Sequence, residues 1–173
     1  MATAIVPVRS SDIDQLSWVS KRTFTESHGH SASAFDIQEY INRNLNTSVL
    51  RQQLRSSGNH FYFILKDQEL AGYSKIILDQ PHPSIAWQPV AKFERLYLLG
   101  EFYGLGLGDE LFAHNLDIAR SNHQKGMWLF VWVENERALR FYHKHDFQII
   151  DQQDFKISEN HANPNHLMCR KFS

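Results

Sequence analysis

Ala91-Lys92-Phe93-Glu94-Arg95-Leu96-Tyr97-Leu98-Leu99, then Gly100-Glu101-Phe102-Tyr103-Gly104-Leu105-Gly106-Leu107-Gly108, then the run from Asp109 to Asn122, form one continuous reading on which the fold turns. The first segment alternates apolar and polar side chains, the period of a half-buried strand. The last carries Leu111, Phe112, Leu116 and Ile118 as an apolar stripe at helical spacing. After the turn at Lys125-Gly126, Met127 to Val133 is a nearly continuous apolar run, as expected of a strand buried on both faces. Strand, helix and strand make a βαβ crossover. Phe93–Leu99 and Met127–Val133 should therefore be parallel, with a right-handed connection.

Upstream, Ile5 to Arg9 reads as a short strand, and Ser11 or Asp12 is placed to cap a helix carrying Ile13, Leu16, Val19 and Phe24. Gly29 to Ser33 is a polar break. Two further helices are expected over Asp36–Asn44 and Thr47–Arg55. His60 to Lys66 and Leu70 to Leu78 are strands joined at Asp67-Gln68-Glu69, an antiparallel hairpin. Asp79 to Val90 holds Pro81, Pro83 and Pro89 and is a loop. Downstream, Glu134 to Lys144 is a helix, Phe147–Ile150 and Leu167–Phe172 are closing strands, and Asp151 to Asn165 is a polar connection with no assigned structure. The element order is α/β with a mixed sheet.

The glycine-rich segment sits between a strand and a helix. Glycines at alternate positions let the backbone turn tightly and lie close to a ligand, and amides at a helix N-terminus bind phosphate. A P-loop would need Gly-Lys-Ser/Thr at its end, where Gly108 is followed by Asp109-Glu110. A dinucleotide fingerprint would need Gly-x-Gly-x-x-Gly early in the chain, and here the spacing is Gly-x-Gly-x-Gly and late. The pyrophosphate of coenzyme A fits spacing and position; a glycine turn with no ligand is the plainer alternative.

The chain has 173 residues, 42% hydrophobic and 21% charged, with a formal net charge of -1. That suits one globular domain and gives no reason to expect nucleic acid or a membrane surface as partner. No run approaches a membrane span, no secretory signal is visible, and Cys169 is the single cysteine, so a reducing, cytoplasmic setting is expected. Cys169 itself reads as a packed thiol. The pairs His28/His30 and His143/His145 lack a carboxylate or thiolate at convincing spacing and are read as non-ligands; no metal is expected.

A second motif follows the helix and strand. Asn135-Glu136-Arg137-Ala138-Leu139-Arg140-Phe141-Tyr142-His143-Lys144-His145-Asp146-Phe147 resembles the Asn-x-x-Ala-x-x-Phe-Tyr-x-Lys-x-Gly-Phe signature of the GNAT superfamily of N-acetyltransferases. The glycine loop resembles the same superfamily's Arg/Gln-x-x-Gly-x-Gly/Ala motif, on Tyr103, Gly106 and Gly108. Together these motifs cover roughly Phe93 to Phe147. Thr23-Phe24, Tyr40, Phe61 to Ile64, Ala71-Gly72-Tyr73, Glu94 to Leu98 and Trp128 to Trp132 are further similar to PaiA-type polyamine N-acetyltransferases. The resemblance implies a single-domain GNAT-like fold, with a mostly antiparallel sheet, a central parallel pair and flanking helices. It implies acetyl-CoA as co-substrate and a small amine such as spermidine or spermine as acceptor. A peptide or protein amine is the alternative acceptor, and a catalytically weak acyl-CoA-binding module the alternative role. Assembly as a homodimer is compatible with this reading.

The resemblance also assigns roles. The backbone of Leu96, Tyr97 and Leu98 would pair with the pantetheine arm, and the Leu98 N–H would donate to the oxyanion. Tyr103, Gly104, Leu105, Gly106, Leu107, Gly108 and Asp109 would hold the pyrophosphate, with Asn135, Arg137, Tyr142 and Lys144 contacting the cofactor. Tyr142 matches the acid that protonates the leaving thiolate; a core aromatic is the plainer reading. Glu94 is the candidate base, against a surface glutamate paired with Arg95 or another cation. Asn135 also suits a helix cap, and Lys144 a solvated lysine. An acidic, aromatic acceptor pocket is expected, with Glu26, Asp36, Glu39 and Trp87 as candidates. Two positions depart from the pattern: Tyr103 replaces Arg or Gln and loses a charged contact, and Asp146 replaces the Gly that ends the helix, a left-handed position Asp tolerates.

Overall fold

The computed structural model describes residues 2–173. One seven-stranded sheet runs in the order β1-β2-β3-β4-β5-β7-β6. Its strands are β1 (Thr3–Pro7), β2 (Asn59–Lys66), β3 (Glu69–Ile77), β4 (Ala91–Leu98), β5 (Gly126–Trp132), β6 (Gln148–Ser158) and β7 (His161–Lys171). Only β4 and β5 pair in parallel; the other neighbours are antiparallel. The helices are α1 (Ile13–His28), α2 (Ala34–Asn44), α3 (Thr47–Arg55), α4 (Leu107–Ser121) and α5 (Glu136–Lys144). None is long and apolar enough to cross a membrane among the described residues.

The sheet buries both faces. On one side α4 and α5 pack Phe112 and Tyr142 against Phe93, Met127, Leu129, Phe147 and Met168. On the other, α1 and α3 set Leu16, Val19 and Leu50 against Phe61, Phe63 and Tyr73. The β2–β3 hairpin turns on Asp67 and Gln68, both at positive φ (49° and 72°), the pair of left-handed residues that a twisted two-residue hairpin needs.

Several boundaries differ from the sequence reading. Asp12 does not cap α1 through its side chain. Its Oδ2 instead accepts the Arg9 N–H at 2.9 Å, closing a 3-10 turn over Ser10–Asp12. Helix α1 continues four residues past Phe24, to His28. Helix α4 begins at Leu107, so Leu107, Gly108 and Asp109 form its first turn. The largest correction is at the C-terminus, where the stretch from Asp151 to Asn165 belongs to the long β6–β7 hairpin. It looked like a polar connection because β6 is mostly exposed, while the inward positions of β7 include Asn163 and Asn165. The left-handed position ending α5 is filled as expected: Asp146 has φ 65°, the Phe147 N–H donates to the Tyr142 carbonyl at 3.0 Å, and the Asp146 N–H to the His143 carbonyl at 3.1 Å. These two bonds form a Schellman end.

Candidate active site

The parallel pair is short. Only Ala91 with Met127 and Lys92 with Trp128 stand in register, and beyond Lys92 the strands part. On its other edge β4 stays bound to β3 through Leu98, but Glu94 is an extra residue in that ladder, since Lys75 pairs with Arg95 and Ile76 with Phe93. The Leu99 N–H donates to the Ala71 carbonyl at 2.8 Å. Amides alternate along a strand, so those of Leu98 and Leu96 face the gap that β5 has left. Gly72, opposite Leu98, permits this close approach: a Cβ there would lie 2.2 Å from the Tyr97 carbonyl oxygen.

Two hollows open at the gap. The outer groove, of about 360 Å³, is lined by Leu96 and Leu98 of β4, by Tyr103, Gly104 and Gly106, by Leu107, Gly108 and Asp109 of the first turn of α4, and by α5. Gly104 and Gly106 have φ of 77° and 78°, and nothing lies within 4 Å of a Cβ built on either. The first N–H groups of α4, which have no partner inside the helix, open beside them. The loop is thus a cradle of left-handed glycines at the positive end of a 15-residue helix, the chemistry that suits a pyrophosphate.

From α5 the groove takes Arg137, Ala138, Arg140, Phe141, Tyr142 and Lys144. Arg137 stacks over the Tyr103 ring, its guanidinium carbon 3.6 Å from the ring centroid. The cation missing from position 103 is therefore supplied beside it from α5. Asp109 would repel an anion, but Lys144 and His145 each approach its Oδ1 at 2.7 Å, and the Lys144 bond above all holds its carboxyl below the ordinary range. Lys144 is thus the ion-pair partner of Asp109.

The inner cavity, of about 160 Å³, lies toward α1, α2 and β7. Its charged lining is Lys92, Glu94, Arg95 and Arg137, and its aromatic lining includes Phe24, Tyr40, Tyr73, Tyr97 and Trp132. Both hollows share Leu96, Arg137, Ala138 and Tyr142, so they meet there. Tyr142 is 8% exposed, packed edge-on to Phe93, and burial pushes its phenol well above the usual range.

Glu94 is half-buried, and burial opposes its charge. The cations Lys75, Arg95 and Lys92 outweigh that and bring its pKa down to about 2. It is ion-paired with Lys75 Nζ, and Lys92 Nζ stands 3.4 Å from its Oε1. Lys75 lies at the buried end of this cluster and also donates to Gln53 Oε1 at 3.0 Å. His28, in the cavity wall, stacks on Phe24 with ring centroids 4.7 Å apart, and burial takes its pKa from 6.5 to about 4.

Of the cofactor residues expected from sequence, eleven line the outer groove: Leu96, Leu98, Tyr103, Gly104, Gly106, Leu107, Gly108, Asp109, Arg137, Tyr142 and Lys144. Tyr97 and Asn135 face the inner cavity instead, and Leu105 is 54% exposed and lines neither hollow. The Asn135 Oδ1 accepts the Ala138 N–H at 3.2 Å, the helix cap that its position also suggested.

The acceptor candidates are not in the inner cavity. Glu26 accepts the Gly100 N–H at 3.0 Å and pairs with Arg22, while Trp87 packs near Gly126. On α2, Glu39 is exposed and Asp36 is half-buried, outside the cavity lining. Sequence reasoning missed Arg95, Lys75 and Lys92 as members of the site, and Arg140 in the groove. They stand on β3, β4 and α5, and nothing in the sequence reveals the gap between the strands that brings them together. No cluster of three metal-ligating side chains occurs among the described residues.

A family model of the Acetyltransferase (GNAT) family matches residues 14–147. The chain belongs to the GNAT acetyltransferase family. An uncharacterised N-acetyltransferase of the pepI 3′ region of Lactobacillus delbrueckii subsp. lactis is 31% identical to this GNAT chain over 138 residues, 80% of each protein. The PaiA N-acetyltransferase of Thermoplasma acidophilum, solved with coenzyme A, superposes with a TM-score of 0.81 at 19% identity, covering 99% of this chain and 100% of its own. The ribosomal-protein-S18-alanine N-acetyltransferase of Escherichia coli superposes with a TM-score of 0.70 at 13% identity, covering 99% and 95%. At such identities these two solved structures establish the GNAT fold alone.

Proposed function

We propose that this GNAT protein transfers the acetyl group of acetyl-CoA to a small amine, with the cofactor in the outer groove and the amine in the inner cavity. The observation that carries the reading is the meeting of the two hollows at Tyr142, beside the outward-facing amides of β4. The glycine cradle and the first turn of α4 suit the pyrophosphate, with Arg137 and Arg140 as nearby cations. The Leu96 and Leu98 amides suit the thioester arm and its carbonyl oxygen. Acetyl-CoA supplies the activated acyl group.

Tyr142 holds the proton given to the departing sulfur. Its raised pKa keeps it protonated, and the same dry surroundings raise that of a thiol, so donor and acceptor stay comparable. A carboxylate with a pKa of about 2 is a poor proton acceptor, and Glu94 is better suited to holding Lys75 and Lys92 in place. The acceptor instead gives its proton to solvent water, and the cations around it favour that loss. An ammonium beside Lys92 and Arg95 is disfavoured relative to the free amine, as for lysines activated by neighbouring cations.

The likeness to a PaiA enzyme supports a polyamine acceptor. The inner cavity offers one carboxylate, and that one is already paired, so its lining speaks for a different amine. The single cysteine is in keeping with a cytoplasmic setting.

The test is release of coenzyme A thiol from acetyl-CoA with spermidine, spermine, amino acids, a lysine peptide and no acceptor, in the native protein and in Tyr142→Phe. Amine-dependent release is expected. Tyr142→Phe should lose about 10²-fold or more in kcat, as is usual for a general acid, with acetyl-CoA binding unchanged. Tight acetyl-CoA binding with no amine-dependent release in the native protein would support the acyl-CoA-binding module instead.

A further inference from the structure

We infer that the acceptor carries a carboxylate close to its reacting amine, and that Arg95 binds that carboxylate inside the inner cavity. The inference rests on the acetyl-transfer reading and names the substrate class within it. It starts from a charge imbalance. Three cations, Lys75, Lys92 and Arg95, surround the single carboxylate of Glu94. That carboxylate is engaged by Lys75 and Lys92, which leaves the cluster with a net positive charge centred on Arg95.

Arg95 has no carboxylate within ion-pair distance among the described residues, and its guanidinium makes no hydrogen bond to them. Its Nη1 is fully shielded by protein and unpartnered. A guanidinium is always charged and presents paired N–H groups in a planar fork, and leaving such donors unpaired in a buried place is costly. The group that answers this geometry is a carboxylate, which accepts two parallel bonds at once.

The surroundings limit what else could answer it. Tyr40, Tyr73 and Tyr97 line the cavity with Arg95, so its walls are aromatic faces with polar tips. No acid other than Glu94 lines it. A polyamine would bring two or more further positive charges into a cavity that already has an excess of them. An amine bearing a carboxylate brings the missing negative charge and keeps one nitrogen for reaction. At about 160 Å³ the enclosed space lies below the roughly 300–1,000 Å³ usual for drug-sized ligands, which favours a small acceptor. Arg95 and Tyr142 line the same small cavity. A carboxylate held at Arg95 therefore leaves the amine of a short molecule in the space that Tyr142 closes.

The experiment pairs acceptors that differ only in the carboxylate: amino acids, β-alanine and 4-aminobutyrate against the corresponding alkylamines, with spermidine included. Acetyl transfer is measured for the native protein, Arg95→Met and Arg95→Lys. Binding of the same compounds in the presence of coenzyme A is measured separately by calorimetry. Acetyl-CoA affinity and circular dichroism report whether each variant folds. We expect at least one carboxylate-bearing amine to exceed its partner in kcat/KM by roughly 10- to 100-fold, the scale of a charge-assisted pair. Arg95→Met should bring that ratio close to one through KM, and Arg95→Lys should keep part of it.

Carboxylate binding that depends on Arg95 without turnover would uphold the subsite and overturn the acetyl-transfer reading. The subsite is refuted if the alkylamines or spermidine match or exceed the amino acids in turnover, or if no carboxylate binds. It is equally refuted if the preference survives in a folded Arg95→Met protein.

Discussion

His28 gives a sharp test of the inner cavity's dryness. The side chain closes the last turn of α1, lies flat on Phe24, and approaches Trp132 with ring centroids 6.3 Å apart. Burial, helped by the neighbouring His30, lowers its pKa from 6.5 to about 4, against a smaller opposing effect of the Phe24 backbone. Between these two values the unfolded chain binds a proton that the folded chain refuses. Stability contributed by neutral His28 is therefore complete above pH 6.5 and is lost as the pH falls toward 4. At about 1.4 kcal/mol for each tenfold change in proton affinity, the loss comes to about 3 kcal/mol. That is a large share of the roughly 5–15 kcal/mol by which a domain is stable. His28→Phe keeps a flat ring on Phe24 and cannot titrate. Urea unfolding from pH 7 to pH 4 should show the native protein losing about 3 kcal/mol more than the variant. His60 and His114, which burial also shifts down, remain in both proteins and cancel in the difference. Parallel losses in the two proteins, or a His28 imidazole titrating near 6.5 in the folded state by NMR, would show that water reaches the cavity wall and sink the argument.

Glu94→Gln should destabilise the fold by on the order of 3 kcal/mol, because it strands the buried Lys75 without a counter-charge; the double variant with Lys75→Met should recover part of that in urea unfolding. In the native protein the Glu94 contribution is present above about pH 4.5 and falls away toward pH 2, below the His28 window. Gly106→Ala places a side chain at φ 78°, where an L-residue pays roughly 1–2 kcal/mol, with no clash to add to it. Its stability loss should stay within that range while acetyl-CoA affinity, measured by calorimetry, drops by more than the stability change explains.

The fold was legible where one periodicity governed a segment. The crossover β4-α4-β5 follows from an alternating run, a helical stripe and an apolar run, and the structure bears out the parallel pair. The β6–β7 hairpin was not legible beyond its ends. Its inward residues Asn163 and Asn165 are polar because they line the inner cavity, and its edge strand is exposed, so neither face shows the usual apolar signal. The glycine loop of the outer groove was legible because alternate glycines ahead of a helix mark left-handed positions, as Gly104 and Gly106 are. The inner cavity was not. Its charged residues stand on β4 and α5, far apart in sequence, and only the parting of β4 from β5 brings them to one place.

The same parting decides how the charges on β4 should be read. On a fully paired strand, the single carboxylate of a Lys-Phe-Glu-Arg run could be assigned as a base, since the sequence gives no count of the cations near it. The extra residue at Glu94 turns its carboxylate toward Lys75 and Lys92, and both are already satisfied by it. The proton acceptor suggested by sequence thus becomes a fixed counter-ion, and the positive charge left over belongs to Arg95. A site arranged in this way disfavours an ammonium and attracts an anion. Those two demands are met together by a molecule that holds its carboxylate at Arg95 and presents an uncharged amine at the junction. Amine deprotonation and acceptor choice then have one electrostatic origin, so removing the Arg95 charge should shift the pH dependence of turnover to higher pH while it relaxes specificity.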